Sequence, residues 1–318
     1  MRKGTRISIA LFMAVLFVYS PPAFAGSGYR DFLAMRTITQ RQEQNNNRWI
    51  EVPGRGPTIF YAQTNPLWAQ MRYENASSRQ RRMFGNAGCA PTSVAIAVAN
   101  LLPAEKLGLI LPYACESVGG FGIATNAVNP LNTNSRDGIY WFNAAEEYQT
   151  YLPLVFGQYA TGNNWRWLSW RISSIEENST GGTNIAFITQ LCDIYGLSYT
   201  KEVPRGHLKW SLLKPIMHGA IGVALANTSH QPFVASKGHY VAVVGADSQY
   251  LYIMDPQDKL QYDSATDKKN VLEVLESGLV RVKHSDFKHL FLTVIYVLSN
   301  EDVQASMLDA ESRAATLR

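Results

Sequence analysis

Between Ala220 and Leu298 five short apolar segments follow one another: Ala220 to Ala226, His239 to Val244, Tyr250 to Met254, Leu279 to Val282 and Leu290 to Leu298. They are rich in Val, Ile, Leu and Tyr and are separated by turn residues. Segments this short and closely spaced bury their side chains by pairing with chain neighbours, which predicts an antiparallel sheet. Helical spacing comes earlier: Ile185 to Tyr195 ends at Gly196, and Leu212 to His218 ends at Gly219. Helices first and a run of strands afterwards define the α+β class. With 318 residues, 46% hydrophobic and 17% charged, the chain can build a sizeable core, and disorder is excluded.

The N-terminus reads as an export signal. Arg2, Lys3 and Arg6 precede an uncharged, apolar stretch from Ile7 to Tyr19, then Pro21-Pro22 and the small-x-small site Ala23-Phe24-Ala25. Cleavage near Ala25 removes three of 29 basic residues and none of the 25 acidic ones, so most of the formal +4 charge goes with the signal. A basic, nucleic-acid-binding reading thereby loses its basis. No later segment reaches the roughly 18 apolar residues of a spanning helix. The expectation is a secreted or periplasmic protein with no stable membrane insertion. The remainder divides into a polar leader (26–56) that buries nothing, a domain (57–299) and a polar tail (300–318), a loose helix or frayed end. Residues 104–180, rich in Gly, Asn and aromatics including Trp141, Trp165, Trp167 and Trp170, read as an insertion that either forms a satellite core or lines a cleft.

Three cysteines, Cys89, Cys115 and Cys192, are an odd number for an oxidising compartment, and any of three single bridges is open to them. The surroundings of Cys89 single it out. Gly85-Asn86-Ala87-Gly88-Cys89-Ala90-Pro91-Thr92-Ser93 runs directly into Val94 to Ala99, a small apolar stretch stopped by Pro103. Glycines make a tight turn, Pro91 suits a first helical turn, and the run reads as a buried helix. A thiol at a helix N-terminus meets unpaired N–H groups and the positive end of the dipole, both of which favour thiolate. Such a nucleophile needs a base and a group to orient it. His239 opens one expected strand and Asp255 follows the next, so a hairpin through Ala246-Asp247-Ser248-Gln249 makes them neighbours.

Taken together, Tyr61-Ala62-Gln63-Thr64-Asn65-Pro66-Leu67-Trp68, Gly88-Cys89-Ala90-Pro91-Thr92-Ser93, Gly238-His239-Tyr240-Val241 and Asp255-Pro256 resemble the soluble peptidases related to family thirty-nine of the cysteine peptidases, double-glycine peptidase relatives within the papain-like superfold. The resemblance covers residues 57–298 apart from the insertion. It implies a papain-like cysteine peptidase fold in which the nucleophile helix packs on an antiparallel sheet. It further implies Cys89 as nucleophile, His239 as general base and then acid, Asp255 as its orienter, and Gln63 as an oxyanion donor, with Gln70 and Gln80 as rivals. Ala90 stands where the family more often has Gly. With Cys89 committed to chemistry, Cys115 and Cys192 become the natural bridge.

No other chemistry finds a motif. His207, His218, His230, His284 and His289 lack ligand spacing, no His-Glu-x-x-His or paired Cys-x-x-Cys occurs, and Gly120-Phe121-Gly122 is no phosphate loop. The expectation is an exported cysteine peptidase-like hydrolase without cofactor or metal, acting on a peptide, protein or cell-wall peptide. The rivals are a cell-wall peptide amidase or acyl or peptidyl transferase on the same fold, and a non-catalytic binding or scaffold protein. The intact Cys89, His239 and Asp255 set argues against the last.

Overall fold

The computed structural model describes residues 46–69, 84–107, 121–124, 139–142, 186–234 and 238–316, with Gln149, Leu152, Pro153 and Phe156. The export signal, Gln70, Gln80, Cys115, Trp165, Trp167 and Trp170 lie outside the described residues.

The fold begins earlier than residue 57. Strand β1 (Arg48–Val52) pairs antiparallel with β2 (Gly56–Phe60). Period-2 alternation inside the supposed leader buries Ile50 and Val52 while Trp49 and Glu51 face out. Even Arg48 is engaged, stacked over the Phe60 ring and paired with Asp258 at 2.6 Å. The polar composition of the leader masked two core positions.

Helix α1 (Cys89–Leu101) is buried at every position except Cys89 and Asn100, as its small, apolar-all-round sequence dictates. It packs on β2 and on two central strands of the main sheet. Asn100 locks it in place: its side chain accepts from the Ile59 N–H at 2.8 Å and donates to the Ile59 carbonyl at 2.9 Å, replacing a missing ladder partner. Between residues 104 and 180, β3 (Phe121–Ala124) and β4 (Ile139–Phe142) form an antiparallel pair of their own.

The rest of the chain builds the main sheet. Helix α2 (Ala186–Tyr195) leads to β5 (Ser198–Glu202), and α3 (Trp210–Met217) leads to β6 (Ile221–Ala226). Then come β7 (His239–Ala246), β8 (Tyr250–Met254), β9 (Glu273–Glu276), β10 (Leu279–Lys283) and β11 (Leu292–Ser299). Their spatial order is β5-β11-β6-β7-β8-β10-β9, seven strands with every pairing antiparallel. Strand β7, in the middle, is buried along its whole length. The architecture is α+β, as the order of elements predicts. The tail forms helix α4 (Glu301–Thr316), capped by Asn300, whose side-chain oxygen accepts from the Val303 N–H at 2.9 Å.

Cys192 corrects the expected bridge. It is a free thiol on α2, fully buried, and burial foremost pushes its pKa up to about 12. It serves as an apolar core residue, and its expected partner Cys115 lies outside the described residues. Among the described residues no helix is long and apolar enough to cross a membrane.

Candidate active site

Two segments distant in sequence carry the Cys89 side. Trp68 donates its indole N–H to the Ala62 carbonyl at 2.9 Å and meets the Phe84 ring edge-on at 6.4 Å, both rings fully buried. This contact holds the Gln63 segment against the turn that precedes α1. Gly88 ends that turn: its N–H donates to the Phe84 carbonyl at 2.7 Å, and a Cβ there would run into the Phe84 ring. Only glycine fits. The Thr92 N–H and hydroxyl both return to the Gly88 carbonyl, at 3.1 and 2.7 Å, closing the first turn. Cys89 thus sits as the first residue of α1, partly exposed, where helix N–H groups lack intrahelical acceptors.

The β7–β8 hairpin carries the other side. Asp247 organises its turn by accepting from the Gln249 and Tyr250 N–H groups, each at 2.7 Å. Continuing the Ala242–Met254 register by one step sets Asp255 across from Val241, a diagonal neighbour of His239 on the same face. The His239 Nε2 lies 2.7 Å from Asp255 Oδ1, with His239 2% exposed and Asp255 fully buried. Asp255 also accepts from the Gln257 N–H at 2.9 Å and the Tyr262 hydroxyl at 2.6 Å. Phe233 places its ring 6.0 Å from the imidazole.

The electrostatics follow. Burial opposes a charged imidazole, but the Asp255 charge and hydrogen bond, with a smaller contribution from Cys89, outweigh it and raise the His239 pKa to about 10. Burial likewise opposes the Asp255 carboxylate, and His239, the Tyr262 hydroxyl and the Gln257 N–H reverse the sign and lower its pKa. The result is an imidazolium–carboxylate pair. Cys89 stands near enough to the ring to add to the upward shift of His239. Because Asp255 occupies Nε2, Nδ1 is the ring nitrogen that the carboxylate leaves unengaged.

Gln63 joins the two sides. Its backbone N–H donates to the Pro256 carbonyl at 2.8 Å, next to Asp255, and its side-chain Nε2 donates to the Gly85 carbonyl at 2.7 Å, one turn before Cys89. The side chain is fully buried, and its Oε1 has no hydrogen-bond partner among the described residues. One of its two amide hydrogens is therefore committed to the turn. All four residues singled out in the sequence converge on one locality. Tyr262 and Phe233 join them without any sequence signal, since each stands in an irregular loop. Among the described residues no group of three His, Cys, Asp or Glu side chains is arranged to hold a metal ion. Compared with known protein families and with curated proteins, the chain matches none.

Proposed function

We propose that the chain is a papain-like thiol hydrolase that cleaves amide or peptide bonds, exported after removal of its signal. The observation that carries this reading is the buried His239–Asp255 pair, 2.7 Å apart, brought together with Cys89 at the start of α1. Cys89 attacks the carbonyl as thiolate, and His239 holds the thiol proton and passes it to the leaving amine. Asp255 fixes the ring and stabilises the imidazolium. The tetrahedral oxyanion forms at the start of α1, where backbone N–H groups and the helix dipole favour negative charge. Gln63, tethered to Gly85 beside that position, is the side-chain donor in this scheme. A nucleophile helix packed on an antiparallel sheet supports the papain-like assignment.

The test is labelling of the full chain with iodoacetamide or an epoxide thiol probe at pH 5.5, where an ordinary thiol is only about one part in a thousand ionised. Fast modification of Cys89 that His239→Ala abolishes is expected. A Cys89 that does not react, or reacts equally in His239→Ala, removes the enzymatic reading. A peptide-library digest run beside purified peptidoglycan then separates peptidase from cell-wall amidase.

A further inference from the structure

We propose that Tyr262 is a positioning residue for this site: its hydroxyl anchors the second oxygen of Asp255 and so keeps His239 charged and aimed at Cys89. The inference rests on the reading of Cys89 as nucleophile.

Asp255 is fully buried, and a buried carboxylate stays ionised only if both oxygens are compensated. Oδ1 accepts from His239 Nε2 at 2.7 Å and the Gln257 N–H at 2.9 Å. Oδ2 accepts from Tyr262 at 2.6 Å, the only donor to it among the described residues. The tyrosine ring is itself braced. Lys259 Nζ lies 5.2 Å from its centroid and donates to the Phe233 carbonyl at 2.6 Å, and the Phe233 ring in turn stands 6.0 Å from the His239 ring. One lysine therefore links the residue behind Asp255 to the residue covering the imidazole.

The charged and titratable groups around the carboxylate act in one direction on the phenol. Burial first, then Asp255, Asp258 and Asp267, raise the Tyr262 pKa, so its hydroxyl remains a donor over the range in which the site works. Facing Asp255 from β7 is His239, which also feels Cys89 from α1. Without the hydroxyl, Oδ2 is left bare and Asp255 takes up a proton at higher pH. A neutral Asp255 no longer holds an imidazolium, and the thiolate loses its counter-charge.

The experiment is the pH profile of iodoacetamide modification at Cys89, read by peptide mass spectrometry in the full chain, for wild type and Tyr262→Phe, alongside melting temperatures. The acidic midpoint is expected to rise by about one pH unit, a tenfold loss of rate below it, with the alkaline plateau unchanged. An unmoved midpoint with a lower melting temperature makes Tyr262 a packing residue and overturns the proposal. Should Tyr262→Phe fail to fold, 3-fluorotyrosine at position 262 preserves the shape and strengthens the donor, so the midpoint is expected to fall; no shift again overturns the proposal. A wild-type Cys89 that fails to react, or is indifferent to His239→Ala, instead overturns the hydrolase reading itself, before Tyr262 is varied.

Discussion

The two halves of the site are built to different standards. Around Asp255 the hydrogen bonding is complete: both carboxylate oxygens, the backbone N–H (to the Gly278 carbonyl at 2.8 Å) and the facing imidazole Nε2 have partners. Around α1 it is not. The Gln63 Oε1 and the Ser93 Oγ are buried and without a hydrogen-bond partner among the described residues, and Cys89 is partly exposed. On the proposed reading the base is fixed before substrate arrives, while the nucleophile side keeps open the face that a substrate must reach. The sharpest way to break this comparison is Asp255→Ala. It strands His239 and Tyr262 in a buried pocket, and the expected loss is about 3–5 kcal/mol in denaturant unfolding, the range for breaking a buried ion pair. A loss below about 1 kcal/mol shows that the pair is not the rigid half.

The same pair predicts an alkaline limb. The His239 pKa is raised to about 10, so the stabilisation it brings is fully present below the ordinary imidazole value of ~6.5 and fades as pH climbs from there through about 10. The Asp255 pKa is lowered, so its share is present above the ordinary carboxylate range and is lost on acidification. Thermal melts between pH 6 and 10 are expected to show wild type losing its advantage over Asp255→Ala steadily. Parallel curves across that window would contradict the pairing.

Gln63 probes the junction. Gln63→Leu removes the donor to the Gly85 carbonyl but also removes an unpartnered oxygen, so the expected cost is only about 1 kcal/mol. The pH midpoint of Cys89 alkylation is expected to stay in place, because the hydrogen bonds of Gln63 go to Pro256 and Gly85 and not to the imidazole. A shifted midpoint makes Gln63 part of the rigid half.

Legibility in the sequence follows burial and locality. Strands β6, β7, β8, β10 and β11 carry buried apolar side chains, so their residues announced them. Strands β5 and β9 are the two edges of the sheet, polar and largely exposed, and they left no apolar signal. Strand β1 hid Ile50 and Val52 among Arg, Trp and Glu. The same holds for the site. His239 and Asp255 were legible because a short hairpin fixes where its ends meet, and Cys89 because glycine, proline and small residues mark a buried helix start. Tyr262 and Lys259 were not, because their partners are chosen by the path of an irregular loop.

The smallest expected effect tests the other half of the comparison. Ser93 stands one turn after Cys89 in α1, fully buried, its hydroxyl desolvated with no partner among the described residues. Alanine at that position keeps the helix, gains about 0.5 kcal/mol of helix propensity and removes an uncompensated polar group. Ser93→Ala is therefore expected to leave stability unchanged or raise it by up to ~1 kcal/mol, with Cys89 alkylation unaltered. The contrast with Asp255→Ala lies in the sign: deleting a polar group is costly where its partners are buried with it and harmless where it has none. A destabilised Ser93→Ala, or one with slower alkylation, would mean that the hydroxyl is engaged, and the Cys89 half would then be as fully satisfied as the Asp255 half.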